Sequence, residues 1–309
     1  MDHTKTTTRE GDRLFSAPFT ERKLKTMKLG GTIIGPWDSV SQWEEMLLAS
    51  RFRAIAAPFD CRTPRKEADA YCEIAQKHGV TIAEVGVWKN LMDPDEARAK
   101  ENTAYAKAQL RLAEERNVPC CVNIVGTSSK AGWDAADRSN YTEETYDRIV
   151  SITRDILDSV QPKRAFYCIE PMPWMVPDGP DEYLKLIRDV DRKQFAAHMD
   201  FVNMINCPRR YLGAEAFIEE CFSKLAPYIK STHVKDTYMQ PTELTAVLRE
   251  CAPGKGELDF ARVFSIIDRY LPKDAPVLME HMQTNEQYKA AYDYLAGCAE
   301  SAGVSLGQP

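Results

Sequence analysis

From residue 28 onward, one pattern repeats along the chain: a short apolar run, a break, and then a longer segment with helical spacing. Eight such runs occur, at 28–34, 52–58, 80–87, 118–126, 164–170, 194–200, 228–234 and 275–281. Short runs of this kind are typical of parallel strands that are buried on both faces. The segments between them carry helix signals, such as the single apolar stripe along 142–160. The pattern therefore predicts eight alternating strand–helix units.

The size of the repeat favours a closed barrel over an open sheet. Eight units between residues 28 and 301 have about 34 residues each, which matches the size of a (β/α)8 barrel. A doubly wound open sheet usually has a GxGxxG loop after its first strand, whereas the first run here continues as IGPW (34–37). We therefore predict an α/β fold, a single-domain (β/α)8 TIM barrel at 28–309. A flexible or oligomer-packing N-terminal arm precedes it at 1–27.

Composition narrows the class of partner. The 309 residues include 40 Lys+Arg and 46 Asp+Glu, which gives a formal net charge of −6. An acidic chain without a basic block is a poor partner for nucleic acid or an anionic membrane, and no apolar run reaches the roughly 18 residues of a membrane span. The nine cysteines are scattered without a CxxC pair, and the N-terminus lacks the apolar core of a signal peptide. We therefore expect a cytoplasmic protein with neither nucleic acid nor membrane as a partner.

The fifth to eighth apolar runs each have, at their last position or one before it, a side chain of a type that can bind a metal. These side chains are Glu170, Asp200, His233 and Glu280. In a barrel the carboxyl ends of the strands meet at one mouth, where three carboxylates repel each other unless a cation lies among them. A single acidic residue at a strand end is more often a helix cap or an ion-pair partner. Such side chains at the ends of four consecutive strands favour a metal site. Oxygen-rich donors with one nitrogen favour Mn²⁺ first, then Mg²⁺ or Co²⁺, over structural zinc.

One segment near the seventh run resembles a known family. HVKD (233–236), followed by GKGELDF (254–260), resembles the HxKD and GxGxxDF signatures of the sugar phosphate isomerase/epimerase family, in the xylose isomerase-like TIM barrel superfamily. The resemblance covers roughly 28–300 and implies that the four strand-end residues are metal ligands. It also implies that Glu170 and Glu280 are the catalytic carboxylates, which remove and return a proton on opposite faces of a sugar. A divalent metal on adjacent carbonyl and hydroxyl oxygens would acidify that C–H bond.

Two other functions stay open beside a sugar isomerase or epimerase. Tagatose-type epimerases have His at the position of Asn203 and Arg at that of Met239, which argues against a simple ketohexose epimerase. The segments 170–184 and 278–281 are similar to the larger subunit of bacterial C-glycoside deglycosidases, which implies a lyase with a small partner subunit. The other open function is that of a sugar-binding barrel without turnover. A related DNA-repair endonuclease would need a His-rich three-zinc cluster, which five histidines and a charge of −6 argue against.

Further residues at the predicted mouth are candidates for binding a sugar or glycoside derivative. They are Glu84, Asn123, Trp174, Asn203 and Lys235. A tryptophan in a loop packs against protein as often as it covers a sugar ring. For Lys235, the alternative to substrate binding is a surface ion pair with Asp236. His198 is expected to be a core histidine, and His281 is expected to point away from Glu280 across the pleat.

Two long connections complete the prediction. The polar segment 126–144 exceeds about 12 residues, which predicts a substrate lid. The segment 235–258 is similarly long, and we predict a short helix within it at 242–251. The N-terminal arm and the C-terminal helices make a homo-oligomer a further expectation.

Overall fold

The computed structural model describes residues 26–307, and in this part of the chain eight parallel strands close into a barrel. Its strands are β1 (Lys28–Gly31), β2 (Ala54–Ala56), β3 (Thr81–Gly86), β4 (Cys120–Asn123), β5 (Phe166–Ile169), β6 (Phe195–Asp200), β7 (Ile229–Val234) and, after a two-stranded ribbon of β8 (Asp236–Met239) and β9 (Leu248–Cys251), β10 (Pro276–Met279). Parallel pairing of β1 with β10 closes the barrel. The predicted fold is confirmed, and each of the eight apolar runs contains one barrel strand.

Helices alternate with the strands and cover the outside of the barrel. They are α1 (Val40–Ser50), α2 (Arg65–Lys77), α3 (Glu96–Arg116), α4 (Glu143–Val160), α5 (Pro180–Val190), α6 (Phe201–Met204), α7 (Pro208–Leu212), α8 (Ala214–Leu225), α9 (Phe260–Tyr270) and α10 (Asn285–Ser301). Side-chain caps define several helix starts: Asp95 accepts hydrogen bonds from the backbone of α3, and Thr142 and Asp259 cap α4 and α9. The apolar stripe of α4 is buried through Ile149 and Ile156.

The barrel is closely packed at β1 and partly polar inside. A Cβ atom on Gly30 would lie 1.7 Å from the carbonyl oxygen of Ala54, so only glycine lets β1 approach β2 here. Inside the barrel, β3, β6 and β7 contribute the buried polar residues Glu84, His198 and Ser231. Buried polar groups need partners, and these three lie directly behind the carboxyl mouth, where they meet the candidate site.

The predicted helix at 242–251 is wrong, because this segment returns along β8 as a strand. The ribbon is antiparallel, with Asp236 opposite Cys251 and Met239 opposite Leu248. Leu244, between the two strands of the ribbon, is fully exposed. The paired residues are 9 to 15 positions apart, a separation that the i, i+3 and i+4 spacing of a helix does not report.

The ends of the described region lie side by side. The backbone of Met27 pairs with that of Leu306, next to the start of β1. The predicted arm at 1–27 lies outside the described residues except for its last two positions. No helix within 26–307 combines the length and the apolar character needed to cross a membrane.

Candidate metal centre and substrate cavity

The four predicted metal ligands meet at the carboxyl mouth of the barrel. Glu170 follows β5, Asp200 ends β6, His233 lies in β7 and Glu280 follows β10. One ligand atom from each of the four lies within 4.8 Å of those of the other three. Because the side chains converge from four strands of a rigid barrel, a single cation can contact all of them.

The pKa values of the three carboxylates in this group are all perturbed. Burial and the charge of Glu280 raise the pKa of Glu170 well above its usual value. Burial also raises the pKa of Asp200, although Lys235 opposes this. For Glu280 the effect of burial is outweighed by His233 and Lys235, which hold its pKa well below the usual range. A divalent ion among the carboxylates would stabilise their ionised forms.

Two candidate ligand atoms, Glu170 Oε2 and His233 Nδ1, are buried without a hydrogen-bond partner among residues 26–307 and are placed to bind a cation. Glu170 Oε2 is buried without a hydrogen-bond partner among residues 26–307, and such an acceptor costs about 1–3 kcal/mol. His233 Nδ1 faces Glu280 Oε1 at 3.2 Å and Glu170 Oε2 at 3.8 Å. Three carboxylates and one imidazole are donors that suit a hard or borderline divalent ion. The residues therefore fit a divalent metal ion.

Lys235 lies inside the carboxylate group instead of on the surface. Its Nζ atom is 2.8 Å from Asp200 Oδ2, 2.8 Å from Glu280 Oε2 and 3.0 Å from Glu250 Oε2, and the side chain is buried. Burial lowers its pKa, but the surrounding carboxylates outweigh burial and raise it well above the usual value. The alternative ion pair with Asp236 is wrong, because the Asp236 carboxylate is engaged elsewhere.

The Asp236 carboxylate fixes the loop that follows the ribbon. It accepts backbone N–H groups from Thr237 at 2.8 Å, Gly254 at 3.0 Å, Gly256 at 3.0 Å and Leu258 at 3.1 Å. Gly254 has a φ of +82°, and a Cβ atom on Gly256 would lie 2.3 Å from Asp236 Oδ1. The HxKD and GxGxxDF segments therefore form one structural unit, in which the two glycines allow the backbone to approach the carboxylate.

Glu84 and His198 lie behind His233 in the barrel interior. Glu84 Oε1 is 3.1 Å from His233 Nε2, and Glu84 Oε2 accepts a hydrogen bond from Ser231 Oγ at 2.8 Å. The His198 ring packs edge-on against His233, with their centroids 4.1 Å apart. Burial and the neighbouring His233 lower the pKa of His198 to about 3, so this histidine is neutral. His198 is buried, as predicted, but it points into the barrel interior, and neither ring nitrogen has a hydrogen-bond partner among residues 26–307.

Most of the predicted substrate-binding residues line the cavity, but Asn123 does not. Asn203 donates from Nδ2 to Glu170 Oε1 at 3.0 Å and lies at the cavity. Trp174 is a half-exposed cavity residue whose Nε1 donates to the carbonyl of Asp134 at 2.7 Å. Asn123 is fully buried, and its amide makes hydrogen bonds with the Lys89 backbone at 3.0 and 2.9 Å. The structure therefore places Asn123 under a loop rather than against the cavity.

A cavity of about 960 Å³ opens above the four candidate metal ligands. Three half-exposed tryptophans line it: Trp88, Trp133 and Trp174. Trp133 comes from the segment 126–144, which folds over the cavity and contains a 3-10 turn at Arg138–Tyr141. This segment is held by the hydrogen bond between Trp174 and Asp134. The position suits the predicted lid.

His281 departs from its predicted direction. Its φ of +60° breaks the strand pleat directly after β10, and the ring turns back so that Nε2 lies 3.1 Å from Glu280 Oε1. Nδ1 contacts Glu250. These two hydrogen bonds raise the pKa of His281 to about 10. Glu250 was not predicted, because it reaches the site from the ribbon that local periodicity assigned to a helix.

Comparison with known proteins agrees with this architecture. The family model described as xylose isomerase-like TIM barrel matches residues 49–298, and the chain therefore belongs to that family. A search of curated protein sequences gives no match.

Solved structures share the fold at low sequence identity. A xylose isomerase-like TIM barrel protein from Mycobacterium smegmatis, in complex with magnesium, is 14% identical, with a TM-score of 0.63 over 89% of this chain and 97% of that one. The 3-keto-D-glucoside 4-epimerase from E. coli is 14% identical, with a TM-score of 0.64 over 88% and 100%. D-Psicose 3-epimerase from Clostridium cellulolyticum, with D-tagatose, is 14% identical, with a TM-score of 0.62 over 88% and 99%.

Proposed function

We propose that the protein is a divalent-metal-dependent enzyme that transfers a proton next to a carbonyl of a sugar or sugar derivative, as isomerases and epimerases do. The observation that carries this proposal is the convergence of Glu170, Asp200, His233 and Glu280 within 4.8 Å at the floor of a cavity. Family membership and structural neighbours named as sugar epimerases support it. We propose Mn²⁺ as the metal, with Mg²⁺ or Co²⁺ as alternatives that the same donors suit.

Each group in the site has a separate proposed role in the reaction. A bound divalent ion would act as a Lewis acid on adjacent carbonyl and hydroxyl oxygens of the sugar. Glu170 and Glu280 are the proposed catalytic carboxylates, which take a proton from carbon and return it. Asn203 donates a hydrogen bond to Glu170 Oε1 and so fixes the orientation of the carboxylate, whose Oε2 has no hydrogen-bond partner among residues 26–307. Lys235 is proposed to bind a substrate oxygen in exchange for one of its contacts with Asp200, Glu280 and Glu250.

Proton transfer can be detected without knowledge of the final product. The protein, with and without Mn²⁺, is incubated in D₂O with D-psicose, D-tagatose, L-ribulose and a 3-keto-D-glucoside, and loss of C–H signal is followed by NMR. We expect metal-dependent exchange with at least one sugar of this type. Saturable sugar binding by the Mn²⁺-loaded protein, with exchange no faster than in buffer, would instead support the non-catalytic binding barrel.

A second candidate is a lyase that acts on a larger glycoside. The cavity of about 960 Å³ is near the upper end of the roughly 300–1,000 Å³ of pockets for drug-sized ligands, and a single sugar would leave much of it unfilled. This size favours the deglycosidase-like alternative, in which proton removal is followed by loss of the substituent. Release of the substituent only after addition of a small partner chain would support it.

Trp174 is proposed to pack against the apolar face of the bound sugar. The Trp174→Ala variant is expected to raise KM about 2- to 10-fold, if the contact of the ring with the sugar is on the order of the 0.5–1.5 kcal/mol of an aromatic pair. The kcat value is expected to change little, because the indole does not touch the carboxylates that move the proton. Leu212→Ala, at an exposed residue outside the cavity, is the control. An unchanged KM in Trp174→Ala would contradict this role.

Location and assembly are further proposals. We propose a cytoplasmic protein, supported by nine scattered cysteines without a CxxC pair. Self-association and a small partner subunit are separate expectations. Light scattering of the purified chain tests the first, and purification from its native source tests the second.

A further inference from the structure

A buried carboxylate from β3 contacts the imidazole ligand from β7. Glu84 is 3% exposed, and its Oε1 atom lies 3.1 Å from His233 Nε2. Its second oxygen accepts a hydrogen bond from Ser231, two residues before His233 on the same strand. Both oxygens are therefore engaged by protein groups, which distinguishes Glu84 from a residue that is free to bind substrate.

We infer that Glu84 is the positioning residue of the metal centre: it accepts the Nε2–H of His233, so that Nδ1 is the nitrogen presented to the metal. This inference rests on the metal site of the proposed function. A histidine ligand commonly donates its other ring N–H to a carboxylate, which fixes the tautomer and the ring orientation. Here His233 Nδ1 faces Glu280 and Glu170, while Nε2 faces Glu84.

The ring of His233 has one orientation that satisfies both sides. Rotation by 180° about the Cβ–Cγ bond would exchange Nδ1 with carbon Cδ2 and Nε2 with carbon Cε1. The carboxylates of Glu170 and Glu280 would then face a carbon, and Glu84 would lose its hydrogen-bond donor. The His198 ring packs edge-on against His233 at an interplanar angle of 82°, which limits intermediate rotations. Ser231 holds Glu84 in place in turn.

A second cation is the alternative occupant of this region. Glu84, His198 and His233 can each offer one ligand atom within 4.8 Å of the other two. The hydrogen bonds to Glu84 favour positioning over ligation, because Ser231 and His233 already use both carboxylate oxygens. The number of bound metal ions separates the two possibilities.

Zn²⁺ affinity gives a readout that does not depend on catalysis. The dissociation constant is measured by competition with a fluorescent chelator for wild type, Glu84→Ala, Glu84→Gln and Ser231→Ala. We expect Glu84→Ala to weaken binding about 10- to 100-fold and Glu84→Gln to weaken it less, since an amide oxygen can still accept the Nε2–H. Glu101→Gln, on the exposed surface of α3, should match wild type. Circular dichroism confirms that each variant is folded.

Nuclear magnetic resonance identifies the nitrogen itself. With ¹⁵N-labelled histidine and Zn²⁺, only five histidines contribute signals, and His233 should show a metal-bound Nδ1 and a protonated, slowly exchanging Nε2. In Glu84→Ala the Nε2 proton should exchange rapidly. Metal bound through Nε2, two ions per chain, or unchanged affinity in both Glu84 variants would overturn the inference. Wild-type protein that binds Zn²⁺ in this way without turning over any sugar would contradict only the proposed function.

Discussion

Glu280→Gln and Glu170→Gln are each expected to lower the rate of metal-dependent epimerisation about 10²- to 10⁴-fold, the usual contribution of general acid–base catalysis. Glutamine has nearly the same shape and keeps an oxygen that can face the metal, but its amide cannot accept the substrate proton. Both side chains border the point where the four ligand atoms converge. The measurement is the initial rate on the sugar that shows exchange in D₂O, at saturating Mn²⁺.

The two variants also test whether two carboxylates share the reaction. Epimerisation requires removal of a proton on one face and its return on the other, whereas exchange with solvent requires only one face. Each variant should therefore lose epimerisation and keep slow exchange for one of the two epimers. Glu101→Gln, on α3, serves as the control. Wild-type rates in both glutamine variants, with metal bound, would contradict the assignment of Glu170 and Glu280.

Asp236→Asn is expected to lower the free energy of unfolding by about 3–5 kcal/mol. The Asp236 carboxylate accepts four backbone N–H groups, and hydrogen bonds to a charged group contribute about 1.5–3 kcal/mol each. In the variant an NH₂ group replaces one carboxylate oxygen. Because NH₂ is a donor, it faces backbone N–H groups without being able to accept hydrogen bonds from them. Urea denaturation followed by circular dichroism measures the change.

A nearby helix cap provides the matched control for Asp236. Asp259 is exposed, and within residues 26–307 its side chain accepts one backbone N–H, that of Arg262 at the start of α9. Asp259→Ala should therefore cost about 1 kcal/mol, as is usual for an N-cap. If Asp236→Asn were no more destabilised than this control, the Asp236 carboxylate would not be the centre that holds the ribbon and the following loop together.

The barrel and the four candidate metal ligands were predictable because they depend on the order of the strands along the chain. Apolar runs of strand length recur at a regular spacing, and closure of the sheet brings the ends of neighbouring strands together without any long-range contact having to be known. Glu170 and Asp200 could be selected from the sequence for this reason. Their convergence in the structure follows from strand order alone.

The remaining features depend on contacts that no local pattern records. Glu250 reaches the site only because 248–251 pairs with 236–239, a pairing that the helical spacing of 242–251 concealed. The positive φ of His281 returns its ring to Glu280, which strand alternation does not predict. Asn123 has the expected position at a strand end, but its amide is used by the Lys89 backbone. Residue type and strand end thus indicate position, and not the partner of the side chain.

We propose that one divalent cation binds through Glu170, Asp200, His233 and Glu280. Elemental analysis of purified protein after reloading with Mn²⁺ and removal of free metal tests it most directly. We predict about one ion per chain for wild type and for Glu101→Gln. Each of Glu170→Ala, Asp200→Ala, His233→Ala and Glu280→Ala should lose most of the metal while remaining folded. Full occupancy in all four alanine variants, or no metal in wild type, would contradict the account.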